Sequence, residues 1–204
     1  MKIALTGASG LVGSRFFDLL KSKYEIIPIS SSYGIDITDA KKVKKVLFLK
    51  NPTLIVHMAA KTGVDGCEGD REKDSKKLKK SKVLKNREVS LYNLDQDAWK
   101  GSDSAFGINV VGTKNLSDYA QKNKIPMIYI STDFVFDGGK DGTYTEEDTP
   151  NPINWYGQTK LWGERTLPSE HLVTRISYPY GYKSQIKKDF VWVLVDLILN
   201  QDIA

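Results

Sequence analysis

Tyr156 and Lys160 are the residues of this 204-residue chain whose types and spacing best suit chemistry. On a helix, residues one turn apart share a face with their Cβ atoms about 6 Å apart, so these side chains would meet. A phenol has a pKa of about 10 and exchanges protons poorly at neutral pH. An ammonium group beside it would favour the phenolate and lower that pKa. A surface tyrosine and lysine with no role is the commoner explanation of this spacing alone, so the pair requires a cofactor site elsewhere.

A predicted strand upstream supplies hydroxyl groups that would complete such a site. Residues 127–130 form an apolar run typical of a buried strand, and Ser131 and Thr132 follow it directly. A hydroxyl group at this point could hydrogen-bond the carbonyl oxygen of a substrate. We therefore predict that Tyr156 donates a proton and Lys160 tunes it, in a reaction that adds hydride to a ketone.

The N-terminus carries the cofactor site that this chemistry needs. A predicted strand over residues 2–6 runs into Gly7, Gly10 and Gly13, and a helix pattern follows. In such a motif the glycines permit a tight turn, close approach to a pyrophosphate and close packing of helix on strand. The helix N-terminus offers free N–H groups to the phosphates. The spacing differs from Gly-x-Gly-x-x-Gly, but its place between the first strand and helix favours a dinucleotide site over a structural turn.

The second predicted strand, residues 24–29, bears on which dinucleotide binds. It ends at Ser30 and two further serines, where a carboxylate would hold the ribose 2′-hydroxyl of NAD. No carboxylate there repels a 2′-phosphate, although no arginine follows directly. NADP(H) is therefore favoured and NAD(H) stays open, with a serine-rich surface loop as the alternative explanation.

The rest of the chain continues the alternation of strands and helices. Strands are predicted at residues 54–58 and 171–176, with helix patterns between them and a last helix over residues 190–200. This order predicts an α/β fold with a doubly wound parallel sheet of the Rossmann type, forming one domain over residues 1–204. His57 lies inside a strand and is interpreted as a core histidine.

Composition and charge narrow the class of protein. Hydrophobic residues make up 40% of the chain and charged residues 27%, as in soluble globular proteins. The apolar run over residues 190–199 is too short for a membrane span, and Cys67 as the single cysteine fits a reducing cytoplasm. We expect a cytoplasmic protein with no membrane partner, and no metal-ligand spacing is present.

The net charge of +5 is concentrated in one stretch. Residues 68–88 contain nine basic and five acidic residues, a net of +4. Nucleic acid is therefore a disfavoured partner, because no whole face is basic. We predict a Lys-rich insertion over about residues 68–105, helical or mobile and facing solvent, with contact to an acidic partner as the alternative.

Several stretches resemble the dTDP-4-dehydrorhamnose reductase family of the extended short-chain dehydrogenases/reductases. They are the glycine turn and residues 36–39, 51–68, 109–116, 130–138, 156–164 and 175–178. The resemblance covers most of the chain except about residues 68–105. It implies reduction of dTDP-4-dehydro-L-rhamnose to dTDP-L-rhamnose with NAD(P)H.

The resemblance also implies roles for particular residues. Tyr156 would be the proton donor, Lys160 would hold the nicotinamide ribose, and Thr132 would tune the tyrosine. The implied cofactor contacts are Gly10, Leu11 and Val12 at the pyrophosphate and Asp36 and Ile37 at the adenine side. Ala60, Lys61 and Thr62 would contact the ribose, and Ala59, which precedes them, is a further implied cofactor contact. The implied sugar contacts are Thr132, Asp133 and Tyr178.

Two departures from the family keep other functions open. The segment between Glu68 and Asn109 is longer than the family's, and the chain stops at Ala204, before the family's sugar-binding lobe. We therefore expect that the C-terminal substrate lobe is largely absent. One alternative is a non-catalytic NADP-binding regulatory subunit, like that of methionine adenosyltransferase, serving a partner enzyme. The other alternative is an epimerase or dehydratase that acts on nucleotide sugars. Assembly as a homodimer also stays open.

Overall fold

The computed structural model describes residues 1–85, 88–181 and 189–200, the last without its side chain. The strands are β1 (Lys2–Thr6), β2 (Glu25–Ile29), β3 (Leu54–His57), β4 (Leu84–Lys85), β5 (Glu88–Val89), β6 (Met127–Thr132) and β7 (Leu172–Ile176). The helices are α1 (Leu11–Leu20), α2 (Ala40–Lys50), α3 (Val64–Lys80), α4 (Thr113–Asn123), α5 (Trp155–Glu164) and α6 (Phe190–Asn200). A π-helix, Gly107–Gly112, leads directly into α4.

A parallel sheet with the strand order β2-β1-β3-β6-β7 forms the centre of the fold. The chain winds from β1 to β2 on one side and then returns to β3 on the other. This confirms the doubly wound, Rossmann-type fold. The reversal leaves a crevice at the carboxyl ends of β1 and β3, where ligands bind in folds of this kind.

The sheet is covered on both faces, as buried parallel sheets must be. Ile3 and Leu5 point to the face that packs against Phe16 and Phe17 of α1. Ala4 points to the opposite face, whose apolar cluster includes residues of α2 and α4. Alternate residues of one short strand therefore fix helices on both sides of the sheet.

The end of β6 differs from the sequence-based expectation. Ser131 and Thr132 are the last two residues of this strand, because they pair with Arg175 and Ile176 of β7. Successive residues of a strand point to opposite faces. The two hydroxyl groups therefore cannot serve the same spot, which matters for the site described below.

The Lys-rich segment, defined here as residues 64–104, is more than a solvated run. Its described residues include α3, the antiparallel pair of β4 and β5, and two short 3₁₀ turns. Its lysines at 73, 76, 79, 80, 82 and 85 are exposed, as expected. Its apolar side chains instead form a buried cluster with α5 and the π-helix, and they are Cys67, Leu78, Val83, Val89, Leu94 and Trp99. A solvent-facing interpretation is therefore right for the lysines and wrong for the opposite side of the segment.

The glycine turn depends on the absence of side chains at two points. Gly7 has a φ of 68°, in the left-handed region that favours glycine. A Cβ atom at Gly13 would lie 2.1 Å from the carbonyl oxygen of Gly7. The backbone of α1 therefore packs so closely on the turn that no side chain fits at this position. No helix within residues 1–85, 88–181 and 189–200 has the length and apolar character needed to cross a membrane.

We expect Gly13→Ala to lower the free energy of unfolding by about 1–3 kcal/mol or more, because the added methyl group must push α1 away from the turn. Gly69→Ala, at an exposed position of α3 where a Cβ meets nothing within 4 Å, is the matched control. It should be neutral or stabilising by up to about 1 kcal/mol. Urea unfolding measures both, and equal values for the two variants would contradict this account of the turn.

Candidate active site

The N-terminal turn of α5 carries Tyr156, and the next turn carries Lys160. Asn154 caps this helix through a hydrogen bond that its side chain accepts from the N–H of Gly157, at 2.8 Å. A Cβ at Gly157 would lie 2.0 Å from the carbonyl oxygen of Phe134, so α5 packs directly on the chain that follows β6. Tyr156 is only 9% exposed and Lys160 2%, so the interpretation of the pair as surface residues is wrong.

Thr132 and Ser131 turn to different partners. The Thr132 hydroxyl is near enough to the phenol of Tyr156 to lower the pKa of that phenol, and it donates its own hydrogen bond to Oδ1 of Asp133 at 3.0 Å. Ser131 donates to Oε1 of Glu164 at 2.5 Å, and Arg175 forms an ion pair with the same carboxylate at 2.7 Å. The structure thus brings Thr132 to the tyrosine and holds Ser131 in a separate buried network, and a catalytic role for Ser131 stays a prediction.

Lys160 is held against the strand below it. Its Nζ donates to the carbonyl oxygen of Ile130 at 2.7 Å and lies 4.0 Å from the centre of the Tyr129 ring. Burial lowers the pKa of Lys160 to about 7, and the carboxylate of Glu164 acts in the opposite direction. Near neutral pH this side chain is therefore only partly charged.

The phenol of Tyr156 does not have the lowered pKa that its spacing to Lys160 suggests. Burial raises its pKa above the ordinary value, the nearby Thr132 hydroxyl lowers it, and the negative charge of Asp133 adds to the increase. In this structure Tyr156 is therefore protonated at neutral pH. That state is suited to donating a proton.

The glycine turn presents backbone donors at the start of α1. The N–H of Gly10 donates to the carbonyl oxygen of Gly7 at 2.8 Å, and the first helical bond runs from Ser14 to Gly10. The N–H groups of Leu11, Val12 and Gly13 come before that bond, and no side chain caps this helix. Such groups form an anion site that suits a pyrophosphate.

The chain after β3 lies beside the glycine turn. A Cβ on Gly7 would lie 2.7 Å from the backbone nitrogen of Ala59, and that nitrogen donates to Oγ1 of Thr6 at 3.0 Å. Ala60, Lys61 and Thr62 continue from this point. Lys61 turns its Nζ to Asp70 at 2.7 Å, which raises the pKa of this lysine. The ammonium group therefore has a structural partner, and the cofactor contact of Lys61 stays a prediction.

Asn109 is a site residue to which the sequence analysis gave no role. It is fully buried in the π-helix, where its side chain accepts from the N–H of Lys61 at 2.8 Å and donates to Oγ1 of Thr159 at 3.0 Å. It therefore joins the chain after β3 to α5. The signal in the sequence was a polar residue inside an apolar helical pattern, and π-helical turns are frequent at functional sites.

The residues assigned to the adenine side lie near the end of β2. The hydroxyl groups of Ser30 and Ser32 are 2.6 Å apart. Oδ1 of Asp36 accepts from the N–H and hydroxyl of Thr38, both at 2.8 Å, so this carboxylate shapes the turn before α2. The side chain of Ile37 is buried in the core. These side chains have structural partners, and their cofactor contacts stay predictions.

Asp133 and Tyr178 border an open cavity of about 1230 Å³ beside β6 and β7. Asp133 accepts hydrogen bonds from Ser177 at 2.6 Å and Thr132 at 3.0 Å, and Tyr178 is 59% exposed. None of the predicted catalytic side chains lines this cavity. Phe134 connects the two places, since it lines the cavity and its ring centre lies 5.6 Å from that of Tyr156.

His57 is a core residue, as the sequence indicated. Its ring nitrogens lie 2.6 Å from Oγ1 of Thr6 and 2.9 Å from Oγ1 of Thr113, and burial lowers its pKa well below the ordinary value. Among residues 1–85, 88–181 and 189–200, no cluster of three or more His, Cys, Asp or Glu is placed to hold a metal ion.

The family model described as the RmlD substrate binding domain matches residues 1–84 and 89–203. The chain therefore belongs to this family of extended short-chain dehydrogenases/reductases, and the predicted family is confirmed.

Individual relatives agree with this. The chain is 30% identical to a dTDP-4-dehydrorhamnose reductase of Aggregatibacter actinomycetemcomitans, covering 99% of this chain and 58% of that protein. It is 27% identical to methionine adenosyltransferase 2 subunit beta of Bos taurus, covering 97% of this chain and 52% of that protein. A crystal structure of dTDP-4-dehydrorhamnose reductase from Bacillus anthracis in complex with NADP matches with a TM-score of 0.76 and 28% identity, covering 98% of this chain and 61% of that one. The chain thus spans between 52% and 61% of the length of these relatives.

The lowered pKa of Lys160 predicts a dependence of stability on pH. Between pH 7 and about 10.5 the unfolded chain binds a proton at this lysine that the folded chain does not, so stability from this group rises with pH by at most about 1.4 kcal/mol per unit. Lys160→Met removes this contribution. The stability of the wild type relative to Lys160→Met should therefore increase from pH 7 to pH 9 in urea unfolding. A constant difference would show that Lys160 keeps an ordinary pKa.

Proposed function

We propose that this chain forms the cofactor-binding and proton-donating part of an NAD(P)H-dependent reductase of a nucleotide-linked 4-keto sugar. The observation that carries this proposal is the burial of the Tyr156 phenol near the Thr132 hydroxyl at the carboxyl edge of the sheet. A buried phenol that is protonated at neutral pH is suited to give a proton to a carbonyl oxygen.

The cofactor would lie along the carboxyl ends of β1 and β3. The N–H groups of Leu11, Val12 and Gly13 suit its pyrophosphate, and the small residues Ala59 and Ala60 leave room for a ribose. β6 lies two strands from β1, which is on the order of 10 Å at ordinary strand spacing. An extended dinucleotide bound at the glycine turn can cover that distance toward Tyr156.

NADP(H) is the cofactor that we favour, and NAD(H) remains the alternative. Ser30 and Ser32 place hydroxyl groups at the end of β2, where a 2′-phosphate would meet donors and no carboxylate. The related reductase from Bacillus anthracis was crystallised with NADP.

The chain's own residues would carry the proton side of the reaction. A bound nicotinamide supplies hydride to the carbonyl carbon. Tyr156 gives its phenol proton to the carbonyl oxygen, which becomes the hydroxyl of the product. The nearby Thr132 hydroxyl would favour the phenolate that remains, and Lys160 would add positive charge in the fraction of molecules in which it is protonated.

The sugar side is the finer part of the proposal. Asp133 and Tyr178 border the cavity next to the site, where a carboxylate and an aromatic face suit hydroxyl groups and a sugar ring. The relative from Aggregatibacter actinomycetemcomitans is a dTDP-4-dehydrorhamnose reductase, and dTDP-4-dehydro-L-rhamnose is the substrate we would test first.

A non-catalytic, NADP-binding regulatory subunit is the second candidate. Similarity to methionine adenosyltransferase 2 subunit beta over 97% of this chain favours it. The intact set of Ser131, Thr132, Tyr156 and Lys160 favours the reductase over a regulatory role. The motif at residues 131–138 favours the reductase over an epimerase or dehydratase, which would share the same core. NADPH binding without turnover of any 4-keto sugar would favour the regulatory role.

We expect Tyr156→Phe to lower kcat for NADPH oxidation with a 4-keto dTDP-sugar by about 10²–10⁴-fold, because the proton donor is removed. NADPH affinity, measured by fluorescence titration, should change by less than about threefold. Tyr92→Phe is the control, since Tyr92 is 96% exposed. Unchanged turnover in Tyr156→Phe would remove this phenol from the mechanism.

The cofactor preference gives a separate test. Ser30→Asp places a carboxylate where the 2′-phosphate is expected, so NADPH binding should weaken by about tenfold or more while NADH binding is kept. Ser30→Ala removes the hydroxyl without adding charge and should weaken NADPH binding less. Equal loss of both cofactors in Ser30→Asp would show that this position does not face the 2′-phosphate.

A further inference from the structure

We propose that Trp155 positions the Tyr156 phenol, with Glu68 holding its backbone N–H and Asp74 holding its indole, both from the Lys-rich segment. The inference deepens the proposed function, because it assigns a supporting role for the same proton donor to residues of α3.

The backbone contact is a cap supplied from a distant part of the chain. Oε2 of Glu68 accepts from the N–H of Trp155 at 2.9 Å, across 87 residues of sequence. The other carboxylate oxygen is held by Arg71 at 2.6 Å. Asn154 caps a different donor, the N–H of Gly157. The first turn of α5 thus has one cap from its own loop and one from α3.

The indole contact is buried. Oδ2 of Asp74, which is 1% exposed, accepts from Nε1 of Trp155 at 3.1 Å and from the N–H of Phe106 at 3.0 Å. The Trp155 ring packs edge-on against Trp162, with ring centres 5.3 Å apart. A buried carboxylate that accepts from both elements ties the start of α5 to the chain entering the π-helix.

These two contacts act on the residue that directly precedes the proton donor. On the other side of Tyr156, Gly157 is pressed against the carbonyl of Phe134. Tyr156 is therefore held between two neighbours whose backbone positions are constrained by separate parts of the fold. A displacement of about 1 Å at a reacting group can cost about 10²-fold in rate, so such constraints are expected to act on kcat.

The Lys-rich segment also reaches the other end of α5. Glu88 forms an ion pair with Arg165, the residue directly after this helix. The same segment contributes apolar residues to the cluster that contains Trp155 and Tyr156. The sequence motifs left residues 68–105 outside the resemblance, but the family model matches all of them except 85–88. In the fold these residues support the helix that carries the proposed chemistry.

The test compares turnover per folded molecule in four variants of the whole chain. Glu68→Ala and Trp155→Phe each remove one contact, and each should lower kcat about tenfold with KM for NADPH changed less than about twofold. Glu68→Gln keeps an oxygen acceptor and should restore kcat to within about threefold of the wild type. Glu72→Ala removes a carboxylate from the solvent side of α3, where it forms an exposed ion pair with Lys76, and should leave kcat unchanged.

A merely structural role would lower the melting temperature without this split between kcat and KM and without rescue by Glu68→Gln. Wild-type kcat in folded Glu68→Ala and Trp155→Phe would overturn the inference. Losses in kcat that are proportional to the unfolded fraction of each variant would also overturn the inference.

A second readout keeps this inference separate from the proposed function. In protein labelled with ¹³C at the tyrosine rings, Tyr156→Phe identifies the Tyr156 resonance. That resonance should shift in Glu68→Ala and return in Glu68→Gln. If the wild type reduces no 4-keto sugar and the shift is present, the proposed function fails and the positioning holds. An unshifted resonance in Glu68→Ala overturns the positioning whether or not the protein is a reductase.

Discussion

The close packing of α5 on the chain that leaves β6 is the contact on which the site depends. It needs a residue without a side chain at Gly157, because the carbonyl of Phe134 occupies the space of a Cβ. Only at that separation can the Tyr156 phenol reach Thr132 and the Lys160 ammonium reach the carbonyl of Ile130. Burial in this packing, rather than either contact, keeps the proton on the phenol and partly removes it from the lysine.

The buried polar groups around this contact join the parts of the site to one another. Asn109 connects the chain after β3 with α5 through hydrogen bonds. At the other end of that helix, Glu164 accepts a hydrogen bond from Ser131 and forms an ion pair with Arg175. A buried polar group left without a partner costs about 1–3 kcal/mol, so networks of this kind permit few alternative arrangements. The cofactor side and the proton-donating side are therefore fixed relative to each other by hydrogen bonds as well as by the sheet.

Much of the fold and part of the site could be predicted from the sequence. The strands at residues 2–6 and 127–130, the glycine turn and the pairing of Tyr156 with Lys160 follow from local patterns, and the structure contains all of them. The expectation that Lys160 lowers the pKa of Tyr156 failed, because spacing along a helix does not reveal burial. Ser131 and Thr132 looked equivalent in the sequence, and only pairing with β7 placed them on opposite faces of a strand.

The sequence by itself determined the strands of the central sheet and most of the helices around it, where the chain must turn through glycine, and which side chains share a face of α5. These features depend on residues within a few positions of each other, and local sterics and hydrophobic periodicity decide them. The tertiary structure decided what surrounds those side chains. Glu68 reaches Trp155 across 87 residues and Asp74 reaches it across 81, and no local pattern encodes such contacts. Protonation of the site residues follows from those surroundings, since burial and neighbouring charges set a pKa that spacing alone does not.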